Sequence, residues 1–125
     1  MLVWGDATGQ PQTLGDGASW AGTWERVRPA PTARTAHTAV WTGEEMLLSG
    51  GVTFEGTTSS SAAFNPTTGK WRVLSNGGNP IPRSGALALW TGSELLLFGG
   101  WSGTQPVGGL QRLNPQPAWH FYRKP

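Results

Sequence analysis

The chain states one pattern of apolar and polar positions twice. Residues 34–51 read RTAHTAVWTGEEMLLSGG and residues 83–100 read RSGALALWTGSELLLFGG, matching at 10 of 18 positions when offset by 49. In each copy one apolar run ends in Trp-Thr-Gly, a second follows within a few residues, and a glycine pair closes it. Two apolar runs split by a short Gly-containing turn predict a β-hairpin. The runs MLLS and LLLF are nearly continuous instead of alternating, which predicts strands covered on both faces.

The same reading extends to the rest of each unit. Inner strands are expected over Thr35–Trp41 and Ser84–Trp90, and second strands over Met46–Ser49 and Leu95–Phe98. The polar stretches 52–60 and 101–108 read as loops. Third strands then follow at Ser61–Phe64 and Gly109–Leu113, and fourth strands at Trp71–Leu74 and Trp119–Tyr122. The turns between them open on Asn65-Pro66 and Asn114-Pro115, because proline presets φ at the second turn position. The prolines of RPAPTART and NPIPRS keep the leads into the inner strands extended. Residues 1–27 carry the plan in weaker form. MLVWGD corresponds to a second strand, with Gly5-Asp6 in place of the glycine pair, residues 7–17 read as a loop, and GASWAGTWERV supplies two strands around Ala21-Gly22. The chain therefore divides into units 1–30, 31–78 and 79–125 holding three, four and four strands, the first without its inner strand.

Composition sharpens this. Nineteen Gly, ten Pro and eight Trp with only 13% charged residues describe short strands joined by turns, so the fold class is all-β. The absence of Cys removes disulfides, thiolate metal sites and cysteine nucleophiles. The net charge of +2 is spread along the chain without a basic stripe, so no nucleic-acid partner is expected. No apolar run reaches the length of a membrane span, and the first residues lack the pattern of a signal peptide.

A period near 50 residues with these landmarks resembles the kelch repeats of β-propellers. The landmarks are Arg34, Gly43, Gly50, Gly51, Pro66 and Trp71 in one unit, and Arg83, Gly92, Gly99, Gly100, Pro115 and Trp119 in the next. The resemblance covers nearly the whole chain and is closest to bacterial kelch proteins, many of which are exported to the periplasm or beyond. Asp6 stands where a second glycine belongs, the turn before Trp24 lacks its proline, and Ala86 replaces the residue equivalent to His37. The resemblance implies a partial propeller of about three four-stranded antiparallel blades, the first incomplete. Such families close rings of six or seven blades, so the chain is expected to be a piece of a longer propeller or to self-associate over its open blade faces.

It also implies a function. Kelch propellers commonly serve as non-catalytic binding or scaffolding modules for a protein or glycan, and that is the expectation here. The alternative is part of a propeller enzyme, such as a galactose-oxidase-like oxidase or a carbohydrate-active protein, whose active residues lie outside this chain. One Tyr, no Cys and two His cannot assemble the copper site of such oxidases. No nucleotide-binding, zinc-protease or calcium-loop motif is present, so no catalytic residue, metal or cofactor is expected.

The candidate ligand-binding residues are Arg34, His37, Phe54, Glu55, Arg83 and Trp101. Arg34 and Arg83 precede successive inner strands. Either they present guanidinium groups to an anionic or peptide ligand, or they donate to turn carbonyls. His37 lies in the inner strand, and as a base or metal ligand it needs partners that the one other histidine, His120, does not supply. Phe54, Glu55 and Trp101 fall in the loops after the glycine pairs, where aromatic side chains anchor peptides or stack on sugars. Glu44, Glu45, Ser93 and Glu94 read as solvated turn residues, and Trp24, Trp41, Trp71, Trp90 and Trp119 as core.

Overall fold

The computed structural model describes residues 2–7, 13–27, 32–74 and 81–115 and is all-β across them, without a helix. The first sheet is a three-stranded antiparallel meander of β1 (Leu2–Ala7), β2 (Thr13–Trp20) and β3 (Trp24–Val27). Next come β4 (Thr38–Trp41) and β5 (Met46–Ser49), a small hairpin of β6 (Val52–Thr53) and β7 (Gly56–Thr57), then β8 (Ser61–Asn65) and β9 (Lys70–Leu74). Their main sheet has the order β4-β5-β8-β9, antiparallel throughout. The third unit repeats this with β10 (Leu87–Trp90), β11 (Leu95–Phe98), a hairpin of β12 (Trp101–Ser102) and β13 (Gln105–Pro106), and β14 (Leu110–Leu113). Its sheet has the order β10-β11-β14, and the strand expected at Trp119–Tyr122, with Trp119 itself, lies outside the described residues. Each main sheet is open, none closing on itself.

Local chemistry accounts for the turns. Thr42 Oγ1 accepts from the backbone N–H groups of Glu44 and Glu45, and Thr91 Oγ1 does the same for Ser93 and Glu94. The glycines that follow these threonines, Gly43 and Gly92, sit at φ 106° and 105°, a region that side chains rarely enter. At the other end Asn65 Oδ1 accepts from Thr67 N–H at 2.9 Å and Gly69 N–H returns to Asn65 O at 2.8 Å.

Several expected boundaries move. The inner strands start at Thr38 and Leu87, three residues late, because Ala36 and Gly85 both adopt left-handed backbone, at φ 53° and 65°, and break the extended run. Thr35 and Ser84 survive only as single bridges to Val52 and Trp101. The expected loops 52–60 and 101–108 each hold a hairpin, so the described residues carry fourteen strands instead of eleven over the whole chain. The loop expected over 7–17 shrinks, since Ala7 pairs with Thr13 and Asp6 with Leu14 across a bulge between Trp4 and Asp6.

The core lies between the second and third sheets. Leu47, Ala63 and Leu74 on one side meet Leu95, Leu97 and Leu113 on the other, with Val40, Ala88 and Trp90 at the margin. A second cluster of Met46, Leu48 and Phe64, against Trp71, occupies the opposite face of the second sheet. All four residues of β5 are therefore buried, as its continuous apolar run predicts. β11 behaves differently. Leu95 and Leu97 are buried while Phe98 is 56% exposed, so LLLF packs on one face only. Among the tryptophans assigned to the core, Trp24 and Trp41 are half exposed, and Trp24 tilts against Trp20 with ring centroids 5.4 Å apart.

Candidate functional site

The glycine pairs organise one end of the second and third sheets. A Cβ on Gly51 would lie 2.6 Å from Thr35 O, and one on Gly100 would lie 2.6 Å from Ser84 O. The absence of a side chain lets the chain leaving each second strand press against the lead of its own inner strand. Thr35 and Val52 then exchange backbone hydrogen bonds, as do Ser84 and Trp101. These contacts hold hairpins β6–β7 and β12–β13 beside the inner-strand leads.

The candidate residues separate into two groups. Arg34 is 2% exposed. Its Nη1 donates to Gly50 O at 3.0 Å and Ser60 O at 2.8 Å, its Nη2 to Ser60 Oγ at 2.8 Å, and its Nε to Thr32 O at 3.4 Å. Burial lowers its pKa from the usual arginine range. Arg83 is 4% exposed and donates from Nη1 to Gly99 O at 3.1 Å. Ser60 corresponds to Gly109, so the third unit has no hydroxyl to offer, and Arg83 Nε is buried without a hydrogen-bond partner among the described residues. Both guanidinium groups thus serve turn carbonyls, the second of the two roles open to them from sequence. His37 is half buried, and burial together with the positive charge of Arg34 pushes its pKa below the ordinary histidine value. Its imidazole is neutral at pH 7.

Phe54, Glu55 and Trp101 form the exposed group. Phe54 is 97% exposed at the tip of β6–β7 beside exposed Glu55, and Trp101 is 52% exposed on β12. The structure brings these two hairpins together, because Gly103 N–H donates to Thr57 Oγ1 at 3.1 Å. Within β6–β7, Thr53 Oγ1 accepts from Glu55 N–H and donates to Gly56 O, which fixes the turn carrying Phe54. The result is a rim of two adjacent hairpins with exposed aromatic side chains.

One polar group was misread from sequence. Glu45, expected to be a solvated turn charge, accepts from Arg72 Nε at 3.1 Å and Nη2 at 2.9 Å, and Arg72 Nη1 donates to Pro115 O at 2.8 Å. The arginine ties the edge of the second sheet to the end of β14, and the hydrogen bonds to Glu45 raise its pKa. The partners lie 27 and 43 residues apart, beyond the reach of any local pattern. Among the described residues no three His, Cys, Asp or Glu side chains converge as a metal site requires. Compared with known proteins, the chain matches no family model and no curated sequence.

Proposed function

We propose that the chain is part of a kelch-type β-propeller and works as a non-catalytic binding or scaffolding module, taking a protein or glycan ligand at the rim of β6–β7 and β12–β13. The propeller reading is supported by the 49-residue repeat and by antiparallel meanders packed face to face through Leu47, Ala63, Leu95 and Leu97. The ligand reading rests on one observation, the side-by-side placement of two repeat-equivalent hairpins that leave Phe54 almost wholly in water. Covering an apolar side chain of this size contributes about 1.5–3 kcal/mol. Trp101 adds a second aromatic surface, and Glu55 and Gln105 supply acceptors and donors at its edge.

The experiment is a binding screen of the labelled full chain on a glycan microarray and against a displayed random-peptide library. Phe54→Ser and Trp101→Ser should each weaken the selected ligand roughly tenfold or more, the equivalent of about 1.4 kcal/mol. Hits that are indifferent to both substitutions, or no hits on either array, would remove the rim as the binding surface.

A further inference from the structure

We infer that Arg83 and the backbone N–H of Gly99 form a binding site for a carboxylate group, at the place that Ser60 fills in the preceding unit. In the second unit Ser60 gathers several donors. Its carbonyl oxygen accepts from Gly50 N–H at 3.1 Å and from Arg34 Nη1 at 2.8 Å, and its hydroxyl accepts from Arg34 Nη2 at 2.8 Å. Arg34 Nε donates to Thr32 O. Every one of these acceptors lies within residues 32–60, so the arrangement is internal to one unit.

The third unit keeps the donors and loses the acceptor. Offset by 49, Arg34 becomes Arg83, Gly50 becomes Gly99 and Ser60 becomes Gly109. The backbone follows the repeat up to Val107, whose N–H donates to Gly100 O at 2.8 Å as Thr58 N–H donates to Gly51 O at 2.9 Å. It rejoins the repeat at Leu110, which stands opposite Phe98 as Ser61 stands opposite Ser49. Between these points it departs. Thr58 Oγ1 fixes Ser60 by accepting from its N–H and donating to its hydroxyl, and Val107 has no hydroxyl with which to do the same. Gly109 instead takes φ 84°, a left-handed conformation that Ser60 does not adopt, and a Cβ on Gly108 or Gly109 would meet nothing within 4 Å.

What remains is a set of donors around one point. Arg83 is 4% exposed, and its Nη1 donates to Gly99 O. Its Nε is buried without a partner, and among the described residues Nη2 has no acceptor and Gly99 N–H no backbone acceptor. Arg83 joins no ion pair among the described residues. Buried donors without acceptors are costly, so an entering group that returns two oxygens to this place is favoured. A carboxylate does so with the geometry a guanidinium edge prefers. Its single negative charge also cancels the single positive charge of Arg83, whereas a sulfate or phosphate dianion would leave excess charge in a desolvated place. In the second unit Ser60 occupies the position, which makes Arg34 and Gly50 an internal control.

The test is a titration of the isotope-labelled full chain with sodium acetate against sodium chloride at constant ionic strength, followed through the NMR signals of Arg83 Nε–H and Gly99 N–H. Both signals should move together and saturate at millimolar acetate, while those of Arg34 Nε–H and Gly50 N–H stay in place. Arg83→Met should weaken the response at Gly99 roughly tenfold or more, and Arg83→Lys should do the same, because an ammonium group keeps the charge without the two-pronged edge. Glucuronate and an aspartyl peptide amide should reproduce the acetate response through their carboxylates, and the tighter of the two identifies a sugar or a peptide source. The absence of a saturating shift, equal shifts at Arg34 and Gly50, a response that survives both variants, or tighter binding of sulfate than of acetate would each overturn the proposal.

Discussion

Replacing Arg34 and Arg83 in parallel by Met exploits a control built into the repeat. The two side chains occupy equivalent positions and are equally buried, but Arg34 makes hydrogen bonds to Gly50 O, Ser60 O, Ser60 Oγ and Thr32 O, whereas Arg83 has Gly99 O. Arg34→Met strands Gly50 O, while Ser60 O and Ser60 Oγ lose one hydrogen bond each and keep their others, to Gly50 N–H and Thr58 Oγ1. A stranded carbonyl costs about 1–3 kcal/mol and each lost hydrogen bond about 1 kcal/mol, and removal of a buried charge returns part of that, so the net loss is about 3 kcal/mol. Arg83→Met strands one carbonyl and also removes a buried Nε–H that has no partner among the described residues, for a net loss of about 1 kcal/mol. The backbone of Arg83 holds the sheet junction, and that is untouched by the substitution. Urea unfolding followed by tryptophan fluorescence reads the difference, which should be about 2 kcal/mol at equal slope. Equal losses, or a larger loss at Arg83, would refute the assignment of these arginines as carbonyl latches of unequal strength.

Four further outcomes are expected. Gly51→Ala should cost about 3 kcal/mol or more, because its Cβ would sit 2.6 Å from Thr35 O at φ 100°, while Gly43→Ala at φ 106°, with open space around it, should lose only the backbone strain of about 1–2 kcal/mol; thermal unfolding compares them. Ala36→Gly should be neutral or stabilise by up to about 1 kcal/mol, since alanine there holds the left-handed conformation that Gly85 holds in the next unit; a fall in melting temperature would count against the strain. Glu45→Gln should destabilise by about 1 kcal/mol, modestly because Arg72 is 39% exposed, and the loss should shrink in high salt. His37 has a folded pKa below its unfolded value near 6.5, so its contribution is complete above that value and is lost as pH falls below it toward the folded pKa. The stability difference between wild type and His37→Gln should therefore shift against the wild type between pH 7 and 5, and a difference independent of pH would contradict the burial of a neutral imidazole.

Strand identity was legible in the sequence because it depends on contacts a few residues long. The Thr-Gly hairpins, the Asn65-Pro66 turn and the second strands Met46–Ser49 and Leu95–Phe98 all lie where residue chemistry predicts them. A repeat compounds such signals, since two copies of one pattern report the same backbone twice. The hairpins inside 52–60 and 101–108 were missed because two-residue strands carry no apolar period, although Gly56 and Gly103 marked their turns. Phe54, Glu55 and Trp101 were legible as surface candidates, but their convergence depends on a hydrogen bond between Gly103 and Thr57, 46 residues apart.

What tertiary structure alone decided is which side of each apolar run faces protein and where each charge goes. MLLS and LLLF are equivalent in sequence, yet one is buried on both faces and the other on one, because burial depends on the neighbouring sheet and not on the strand. Arg34 and Arg83 could face a ligand or a carbonyl until the fold brought Gly50, Ser60 and Gly99 within 3.1 Å of their guanidinium nitrogens. Glu45 became a partner of Arg72 only when β5 and β9 joined one sheet through β8. Backbone preference and turn chemistry act within the first few neighbours along the chain. Desolvation and ion pairing act through space, and so they belong to the packed molecule.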